Sequence, residues 1–439
     1  MSKSASVSLS DYCSFDHVYN NVVTPFLTSL DDQRAFNQSY GLADCLKAAF
    51  SIFSLKAPSM YQFRQMAQAE EHNLHTIYGV GSIPEDTAFR EVLDGVDPAC
   101  LREGFARLFG HFSARTDLAC RYHAWRDFTV VSVDGVEHFC SKKVSCPHCL
   151  TRNHRDGSTT NYHSMLSAAI VHPDRAEVFP LDHEPIVKAD GAIKNDCERN
   201  AIHRLLENFQ RAYSQLNTIF VLDALYACAP VITKLNQTDN WRYVISTKEV
   251  GNKHLFTQFD ERNEVGKVKW LVQKDDQGRQ WEIGYANGLE LNASSADIKV
   301  NLVFARSTDK RGKEVVYSFL TDIKLTKKNV VRILSIGRSR WKIENETFNT
   351  LKNQGYQFKH NYGHGKKNLC TIMAYSMMMA FWVDQLQQAA NQPFQKLVAG
   401  LKTRVKLWDA MRAVVKILPV DNMKQLFLQV AEMYCVRLI

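Results

Sequence analysis

The sequence predicts an α/β protein with a mixed central sheet and flanking helices, interrupted by an all-β insertion and preceded by a helical N-terminal domain. A β-branched run from Phe128 to Val133 stops at Asp134, and a later run of apolar residues stops at Asp223. Residues 241–320 alternate short β-like runs with turn sequences, whereas residues 16–115 carry apolar side chains at helical spacing. Strands, a helix and a further strand in this order place both aspartates at the ends of neighbouring central strands.

Composition and charge are those of a soluble protein that is long enough for two or three domains. The 439 residues are 45% hydrophobic and 23% charged, and the net charge of +8 favours a polyanionic partner. The polar opening segment predicts no secretory signal, and the longest apolar run, Ile372 to Val383, is too short to span a bilayer. Eleven scattered cysteines argue against a disulfide framework. We therefore expect a cytoplasmic protein that contacts no membrane.

Shifts in sequence character divide the chain into five segments. We expect a helical N-terminal domain at 1–115, the first part of a catalytic core at 116–236, a β-rich insertion at 237–320, the second part of the core at 321–390, and a C-terminal helical segment at 391–439. The N-terminal helices are predicted at Asp31 to Ala49, Tyr61 to Gln68 and Ala99 to Phe109. DNA binding is the role expected of this domain, with a structural cap on the core as the alternative.

The first part of the core contains the two aspartates. Asp134-Gly135 stands between two β-like runs and, taken alone, predicts a hairpin turn as the alternative to a catalytic position. Two further strands, Ser164 to Val171 and Ala176 to Leu181, are followed by an amphipathic helix from about Asn195 to Gln215. The apolar strand that stops at Asp223 comes next. A third carboxylate from a later helix would complete a metal site with the two aspartates.

The insertion is predicted from a series of short runs rich in β-forming residues. These are Trp241 to Thr247, Leu255 to Phe259, Lys267 to Gln273, Gln280 to Ala286, Ile298 to Arg306 and Lys313 to Leu320. Their Lys and Arg residues suit a surface that contacts DNA, with an ordinary solvated face as the alternative.

A helix from Arg338 to Lys352, ended by Gly355, is predicted to supply the third carboxylate. Helical spacing puts Glu344 on an apolar stripe and directs Glu346 away from it. The other members of the stripe are Trp341, Phe348 and Leu351. A carboxylate on such a face needs a positive partner, either a metal ion or, as an ordinary salt bridge, Arg340.

Asp134, Asp223 and Glu344 together have the chemistry of a metal site. Clustered carboxylates repel one another unless cations lie between them, and oxygen ligands suit Mg²⁺ or Mn²⁺. Two such ions activate a water or a 3′-hydroxyl and stabilise the leaving oxygen of a phosphodiester. The sequence has no G-x-S-x-G motif, no Walker loop and no Gly-rich dinucleotide fingerprint that would indicate a different chemistry.

A second group of residues has the spacing of a structural zinc site. Cys146 and Cys149 form a C-x2-C pair, and we expect His154 and His163 to complete the ligand set. Cys140 is a further candidate, and unliganded cysteines in a reduced loop are the alternative interpretation.

These residues resemble the DDE transposases of bacterial insertion sequences, in the group with a β-rich insertion between the second Asp and the Glu. The resemblance covers about Asp127 to Val383, and the family signature is Tyr-x2-Arg-x3-Glu-x6-Lys. Arg340 and Glu344 fit its Arg-x3-Glu part, whereas Gly337 stands where the family has Tyr and Lys352 lies one residue beyond the usual Lys. The segment 355–367, which mixes bases with aromatics, also resembles this group.

The resemblance implies a ribonuclease-H-like core and cleavage and strand transfer at insertion-sequence ends. Asp134, Asp223 and Glu344 would hold two Mg²⁺ or Mn²⁺ ions. The expected partners are double-stranded DNA, as terminal inverted repeats and target, and a second copy of the chain in a homodimer. Side chains expected to hold DNA phosphates are Arg338, Arg340, Lys352, Lys366 and Lys367. The alternatives are a structure-specific endonuclease on the same core and a domesticated DNA-binding protein without catalysis.

Overall fold

The computed structural model describes residues 7–34, 39–69, 71–82, 85–191, 194–309 and 311–438. Its described strands form one mixed eleven-stranded sheet with helices packed against it. The strands are β1 His123–Trp125, β2 Phe128–Ser141, β3 Leu150–Asn153, β4 Thr159–His172, β5 Arg175–Ile186, β6 Thr218–Leu222, β7 Trp241–Ser246, β8 Lys269–Lys274, β9 Gln280–Glu290, β10 Lys299–Thr308 and β11 Glu314–Thr321.

The strand order of the sheet is β3-β4-β2-β6-β7-β11-β10-β9-β8, with β1 paired to β2 and β5 paired to β4. The pairs β2–β6 and β6–β7 are parallel, and the other pairs between described strands are antiparallel. All five residues of β6 are buried, as expected for a central parallel strand that is covered on both faces.

Most of the helices lie outside the middle of the chain. The α-helices of the described residues are α1 Leu9–Tyr12, α2 Phe15–Val18, α3 Thr24–Ser29, α4 Leu42–Ser54, α5 Met60–Ala69, α6 Glu71–Tyr78, α7 Asp86–Asp94, α8 Arg102–Ala114, α9 Thr116–Ala119, α10 Lys194–Ala212, α11 Ala229–Asn236, α12 Lys253–Glu264, α13 Val330–Arg338, α14 Thr350–Asn353, α15 Leu369–Ala390, α16 Gln392–Leu401, α17 Arg404–Ile417 and α18 Met423–Met433.

Helices from the two ends of the chain pack against one another and against the long helix α15. The side chain of Asn73 donates hydrogen bonds to the carbonyls of Val415 and Leu418 at 2.8 and 2.9 Å. The carboxylate of Asp16 accepts from the backbone amides of Met423 and Lys424. The N-terminal helices therefore share their packing with the C-terminal segment, while the expected domain boundaries and the DNA-binding role of residues 1–115 stay predictions.

One helix of the described residues, α15, is long and apolar enough to cross a membrane, and its apolar stretch is buried by the rest of the protein. This is the buried helix that the Met-rich apolar run predicts, and it contacts β5 and helices from both ends of the chain.

Two predictions about the N-terminal helices need adjustment. The helix predicted from Asp31 instead begins at Leu42, and residues 35–38 lie outside the described ones. The helix predicted from Ala99 begins as a 3₁₀ turn at Pro98 before α8 continues it. The prediction for Tyr61 to Gln68 is confirmed by α5.

The prediction of an all-β insertion is wrong in two respects. Leu255, Phe256 and Phe259 are buried on one face of α12, so the run read as β-like has the spacing of an amphipathic helix. The insertion also does not form a separate sheet, because β11 pairs with β7 and thereby extends the central sheet. The strands β8 to β11 themselves are confirmed.

Candidate active site

The parallel pairing of β2 and β6 brings Asp134 and Asp223 side by side. Ser132 lies opposite Val221 in this pairing, and the two aspartates follow two residues later on their strands. Residues at the same register of neighbouring strands point to the same face of a sheet. The two carboxylates therefore lie at one point on the sheet.

The two aspartates reach this point through different local structures. Asp223 stands directly after β6, and its carboxylate caps the following 3₁₀ turn by accepting the Ala224 amide at 2.6 Å. Asp134 lies inside β2, which runs on through Gly135, because β4 pairs with β2 across this position. The alternative of a hairpin turn at Asp134-Gly135 is therefore wrong.

Glu344 is supplied by an interrupted helix and not by the continuous helix predicted from Arg338 to Lys352. The helix α13 ends at Arg338, a turn follows, and Glu344 lies in a π-helix from Ile343 to Asn349. The hydroxyl of Ser132 donates to the carbonyl of Arg340 at 3.2 Å, which fastens the turn to β2. The helical segment does end before Gly355, which has a φ of +96°, as predicted.

The apolar stripe predicted around Glu344 does not face the core as a unit. Phe348 and Leu351 are buried, but the Trp341 residue is 44% exposed and the Glu344 side chain 47%. A turn and a π-helix change the angle between successive side chains, which the assumption of a regular helix cannot anticipate. Glu344 consequently opens towards solvent beside the aspartates.

Glu346 points away from this site, as predicted, but it is not simply solvated. It is half-buried and interacts electrostatically with Lys342. Lys342 is itself buried and donates to the carbonyl of Arg175 on β5. The two glutamates thus have different cationic partners.

Arg340 connects the third carboxylate to the first. Its Nη2 lies 2.7 Å from Oε1 of Glu344, and its Nη1 lies 3.8 Å from Oδ2 of Asp134. The salt bridge considered as an alternative to a metal site is therefore present, and it lies inside the carboxylate cluster. One guanidinium serves acids from two elements that are far apart in sequence.

Negative charge exceeds positive charge at this point. Burial and, second to it, the charge of Glu344 raise the pKa of Asp134 to about 7 against the opposing effect of Arg340. The charge of Asp223 also raises the pKa of Asp134, by less than that of Glu344 does. A carboxyl group in this state is stabilised by an additional cation, because a cation offsets both the repulsion and the cost of burial.

Glu198 and Tyr226 belong to the site but were not found from the sequence. A Cβ added at Gly135 would lie 3.2 Å from a carboxylate oxygen of Glu198, so the glycine leaves room for this acid. The buried Tyr226 hydroxyl has no hydrogen-bond partner among the described residues, and its pKa is raised by burial and by the nearby carboxylates. Glu198 lies on α10, and the sequence does not indicate which residues of that helix approach Gly135.

A cavity of about 620 Å³ adjoins Asp223. Its walls include the aromatic residues Phe256, Phe304, Tyr317, Phe319 and Trp341 and the cationic residues Lys248, Arg338 and Arg340. The guanidinium of Arg338 lies 4.9 Å from the ring centre of Tyr317. A Cβ at Gly337 would lie 2.8 Å from the Phe319 ring, so α13 packs directly on this ring, and the position has no room for the tyrosine of the family signature.

The five predicted phosphate-binding residues are not all brought to this cavity. Arg338 and Arg340 line it, and Lys352 is half-buried on α14. Lys366 and Lys367 are exposed, and their backbone amides donate to the carboxylate of Asp94. Lys367 lines a different cavity, of about 420 Å³, next to β5 and α10.

The Cys and His residues form a separate cluster with one change from the predicted set. The cluster consists of Cys146, Cys149, His163 and His364, whose potential ligand atoms all lie within 4.8 Å of one another. His154 is exposed, and its Nε2 lies 2.6 Å from the Thr160 hydroxyl, so His364 takes the place predicted for it. Cys140 is exposed and does not belong to the cluster.

No family model matches the chain, and no curated protein matches it. Among solved structures, the chain is similar to a piggyBac transposase in its synaptic complex with hairpin DNA, determined by cryo-EM. The TM-score is 0.40 at 10% sequence identity, and the alignment covers 93% of this chain and 79% of that chain. The structural similarity to this transposase is weak, and it identifies neither the fold nor the activity of this chain.

Proposed function

We propose that this protein is a transposase that catalyses metal-dependent DNA strand cleavage and strand transfer at the ends of an insertion sequence. The observation that carries the proposal is the meeting of Asp134 and Asp223 on adjacent parallel strands, with Glu344 joined to Asp134 through Arg340. Three acids from distant parts of the sequence meet at one point that the rest of the fold leaves accessible.

The proposed core is ribonuclease-H-like. In support, the strands β5, β4, β2, β6 and β7 are neighbours in that order. The pairs β5–β4 and β4–β2 are antiparallel, whereas β6 and β7 run parallel to β2. This order leaves Asp134 on the middle strand and Asp223 at the end of the strand beside it.

The site suits divalent metal ions, as a DDE transposase requires. Its donor atoms are carboxylate oxygens, which Mg²⁺ and Mn²⁺ prefer, and the pKa of Asp134 is raised by burial and by the neighbouring charge of Glu344. The unpartnered hydroxyl of Tyr226 is a further polar group next to them. Two bound ions would activate the attacking water or 3′-hydroxyl and stabilise the leaving oxygen. Asp134, Asp223 and Glu344 would hold these ions.

The cavity beside Asp223 is the proposed entry for the DNA backbone. Arg338 and Arg340 would contact phosphates there, and the aromatic walls would exclude water from the reacting group. Lys352, Lys366 and Lys367 would contact DNA further away. We propose that the DNA comprises terminal inverted repeats and target, that two copies of the chain act together, and that the protein works in the cytoplasm at the nucleoid.

The decisive test compares two neighbouring glutamates. Glu344→Gln keeps the side-chain shape and removes the charge that would hold a metal ion, so cleavage should fall by a factor of at least about 10³. Glu346→Gln is the matched control, because this side chain faces Lys342 on the other side of the helix. The assay is Mg²⁺-dependent nicking and joining of a labelled DNA end.

Binding of the same DNA should persist or strengthen in Glu344→Gln, since repulsion between the acid and the phosphates is relieved. Parental cleavage by this variant would overturn the assignment. If the parent protein cleaves DNA without joining it, a structure-specific endonuclease is indicated. If the parent binds DNA without either reaction, an inactive DNA-binding protein is indicated.

A further inference from the structure

We propose that Cys146, Cys149, His163 and His364 bind one zinc ion, and that this ion fastens the segment behind the Glu344 helix to the β2–β4 strands. Three of the ligands precede the insertion in sequence and one follows it. The ion would therefore join the two halves of the divided core.

The distances match a tetrahedral zinc site. Zinc bond lengths place two thiolates about 3.8 Å apart, and a thiolate and an imidazole nitrogen about 3.5 Å apart, at a tetrahedral centre. The sulfurs of Cys146 and Cys149 are 3.8 Å apart. The Nε2 of His163 lies 3.3 Å from each sulfur, and the Nε2 of His364 lies 3.4 Å from the sulfur of Cys149. The sulfurs are too far apart for a disulfide bond.

The surroundings of the ligands are those of a closed structural site. Cys149, His163 and His364 are at most 8% exposed. The carbonyl of Gly365 lies 2.8 Å from Nδ1 of His364, which places the proton on Nδ1 and leaves Nε2 to bind a metal. The amide of Cys146 donates to the sulfur of Cys149 at 3.4 Å. Two thiolates and two imidazoles select zinc over Mg²⁺, so this ion is chemically distinct from those proposed at the carboxylates.

The segment that contains His364 needs such an anchor. Residues 354–368 have no regular helix or strand, yet Tyr356, Phe358 and Tyr362 among them are buried. Irregular segments of this length inside a compact protein are uncommon unless they serve a function. This segment follows α14 directly, so fixing it to β4 through His163 also fixes the position of the helix that holds Glu344.

A competing ligand set shares His163. The potential ligand atoms of His138, His163 and Cys370 also lie within 4.8 Å of one another, and neither ring nitrogen of His138 has a hydrogen-bond partner among the described residues. That set has three ligands and a single thiolate, whereas the set with His364 has the four ligands of a structural zinc site. Substitution of His138 distinguishes the two sets.

The first experiment measures zinc by mass spectrometry in protein purified under reducing conditions. The parent should contain about one zinc per chain, and His364→Asn should lose most of it. The matched controls are His154→Asn and His138→Asn, which should retain the metal. Retention by His364→Asn, or loss in either control, would overturn the ligand assignment.

Cobalt substitution of the parent chain provides a test that does not depend on a variant folding. Bound Co²⁺ should give the strong absorption of a tetrahedral site with thiolate ligands. Absence of zinc from the parent and failure to take up Co²⁺ would overturn the site. A Cys146–Cys149 disulfide in freshly purified, reduced protein would do the same.

The second experiment tests the fastening by hydrogen exchange. Removal of zinc should accelerate exchange of amides in residues 355–368 and in the helical segment around Glu344, and readdition of zinc should reverse the change. The strands β8 to β10 serve as the internal reference. Unchanged exchange on removal of a bound zinc would overturn the fastening. Neither experiment uses DNA, so their outcomes are independent of the proposed transposase activity.

Discussion

Two clusters in this protein each combine a cationic side chain with carboxylates and a tyrosine, but they differ in how completely the charges are paired. In the buried cluster, Lys56 forms an ion pair with Asp384 at 2.5 Å, and the Tyr356 hydroxyl donates to the same carboxylate at 2.6 Å. In the open cluster, Arg340 faces both Asp134 and Glu344. The side chains of the ion pair in the first cluster are at most 8% exposed, whereas Glu344 in the second is 47% exposed.

In the buried cluster, Lys56 and Asp384 each have several partners among the described residues. The ammonium of Lys56 also lies 3.8 Å from the ring centre of Trp408 and donates to the carbonyl of Ser54. Burial lowers the pKa of Lys56 and raises that of Asp384, and the ion pair opposes both shifts. The cluster joins the segment after α4, the segment after α14 and the helix α15, and its role is to hold them together.

The open cluster has several acids around one arginine, together with the Tyr226 hydroxyl, which has no hydrogen-bond partner among the described residues. Such an arrangement costs stability unless a ligand completes it. The comparison indicates that the same kinds of residue stabilise the fold where charges are matched, and leave an excess of negative charge where they are not.

The largest expected effect comes from unbalancing the buried cluster. Lys56→Met should reduce the free energy of unfolding by about 3–5 kcal/mol, because Asp384 is then buried without its cation. Lys406→Met, at an exposed position on α17, should change stability by less than about 0.5 kcal/mol. Urea denaturation measures both, and equal stabilities for the two variants would show that the buried ion pair does not hold the segments together.

A smaller effect should follow from balancing the open cluster with metal. Mn²⁺ or Mg²⁺ at about 100 times its dissociation constant should stabilise the parent by about 2.7 kcal/mol. Asp134→Asn should lose this gain, while Glu346→Gln should keep it. Thermal denaturation with and without metal provides the measurement, and an equal metal-dependent gain in Asp134→Asn would exclude Asp134 as a ligand.

The smallest effects should come from the two tyrosine hydroxyls, and they should have opposite signs. Tyr356→Phe removes a hydrogen bond to a buried carboxylate and should cost about 2 kcal/mol. Tyr226→Phe removes an unpartnered buried hydroxyl and should raise the stability of the metal-free protein by about 1 kcal/mol. Denaturation of both variants without metal measures the difference, and destabilisation by Tyr226→Phe would show that its hydroxyl is already satisfied.

The sequence predicts the aspartates of the site better than it predicts the glutamate. β-branched and apolar runs define β2 and β6 by local composition, so the acids that end these runs can be placed in one site, although Asp134 lies inside β2 and not at the strand end predicted for it. The position of Glu344 depends on a turn and a π-helix that are fixed by contacts such as Ser132 to Arg340, across 208 residues of sequence. Long-range contacts of this kind leave no periodic signal.

The same reason explains the replacement of His154 by His364. The spacing of Cys146 and Cys149 predicts a metal site, but the histidine next to Cys149 in the structure, His364, lies 215 residues further along the chain. Local proximity favoured His154, which lies in the turn between β3 and β4 and points to Thr160. The sequence also does not predict that β11 pairs with β7 and extends the central sheet, because the composition of a single strand does not specify its pairing partner.

The π-helix around Glu344 also accounts for the spacing of Lys352. A π-helix places one more residue in a turn than an α-helix does, and this one lies between the catalytic candidate and the lysine. The family that the sequence resembles has one residue fewer in that interval. The π-helix therefore accommodates one more residue between Glu344 and Lys352 than a regular helical turn would, without ending the helical segment. A chain shortened by one residue here should return to a regular helix, and its lysine should then fall at the family position.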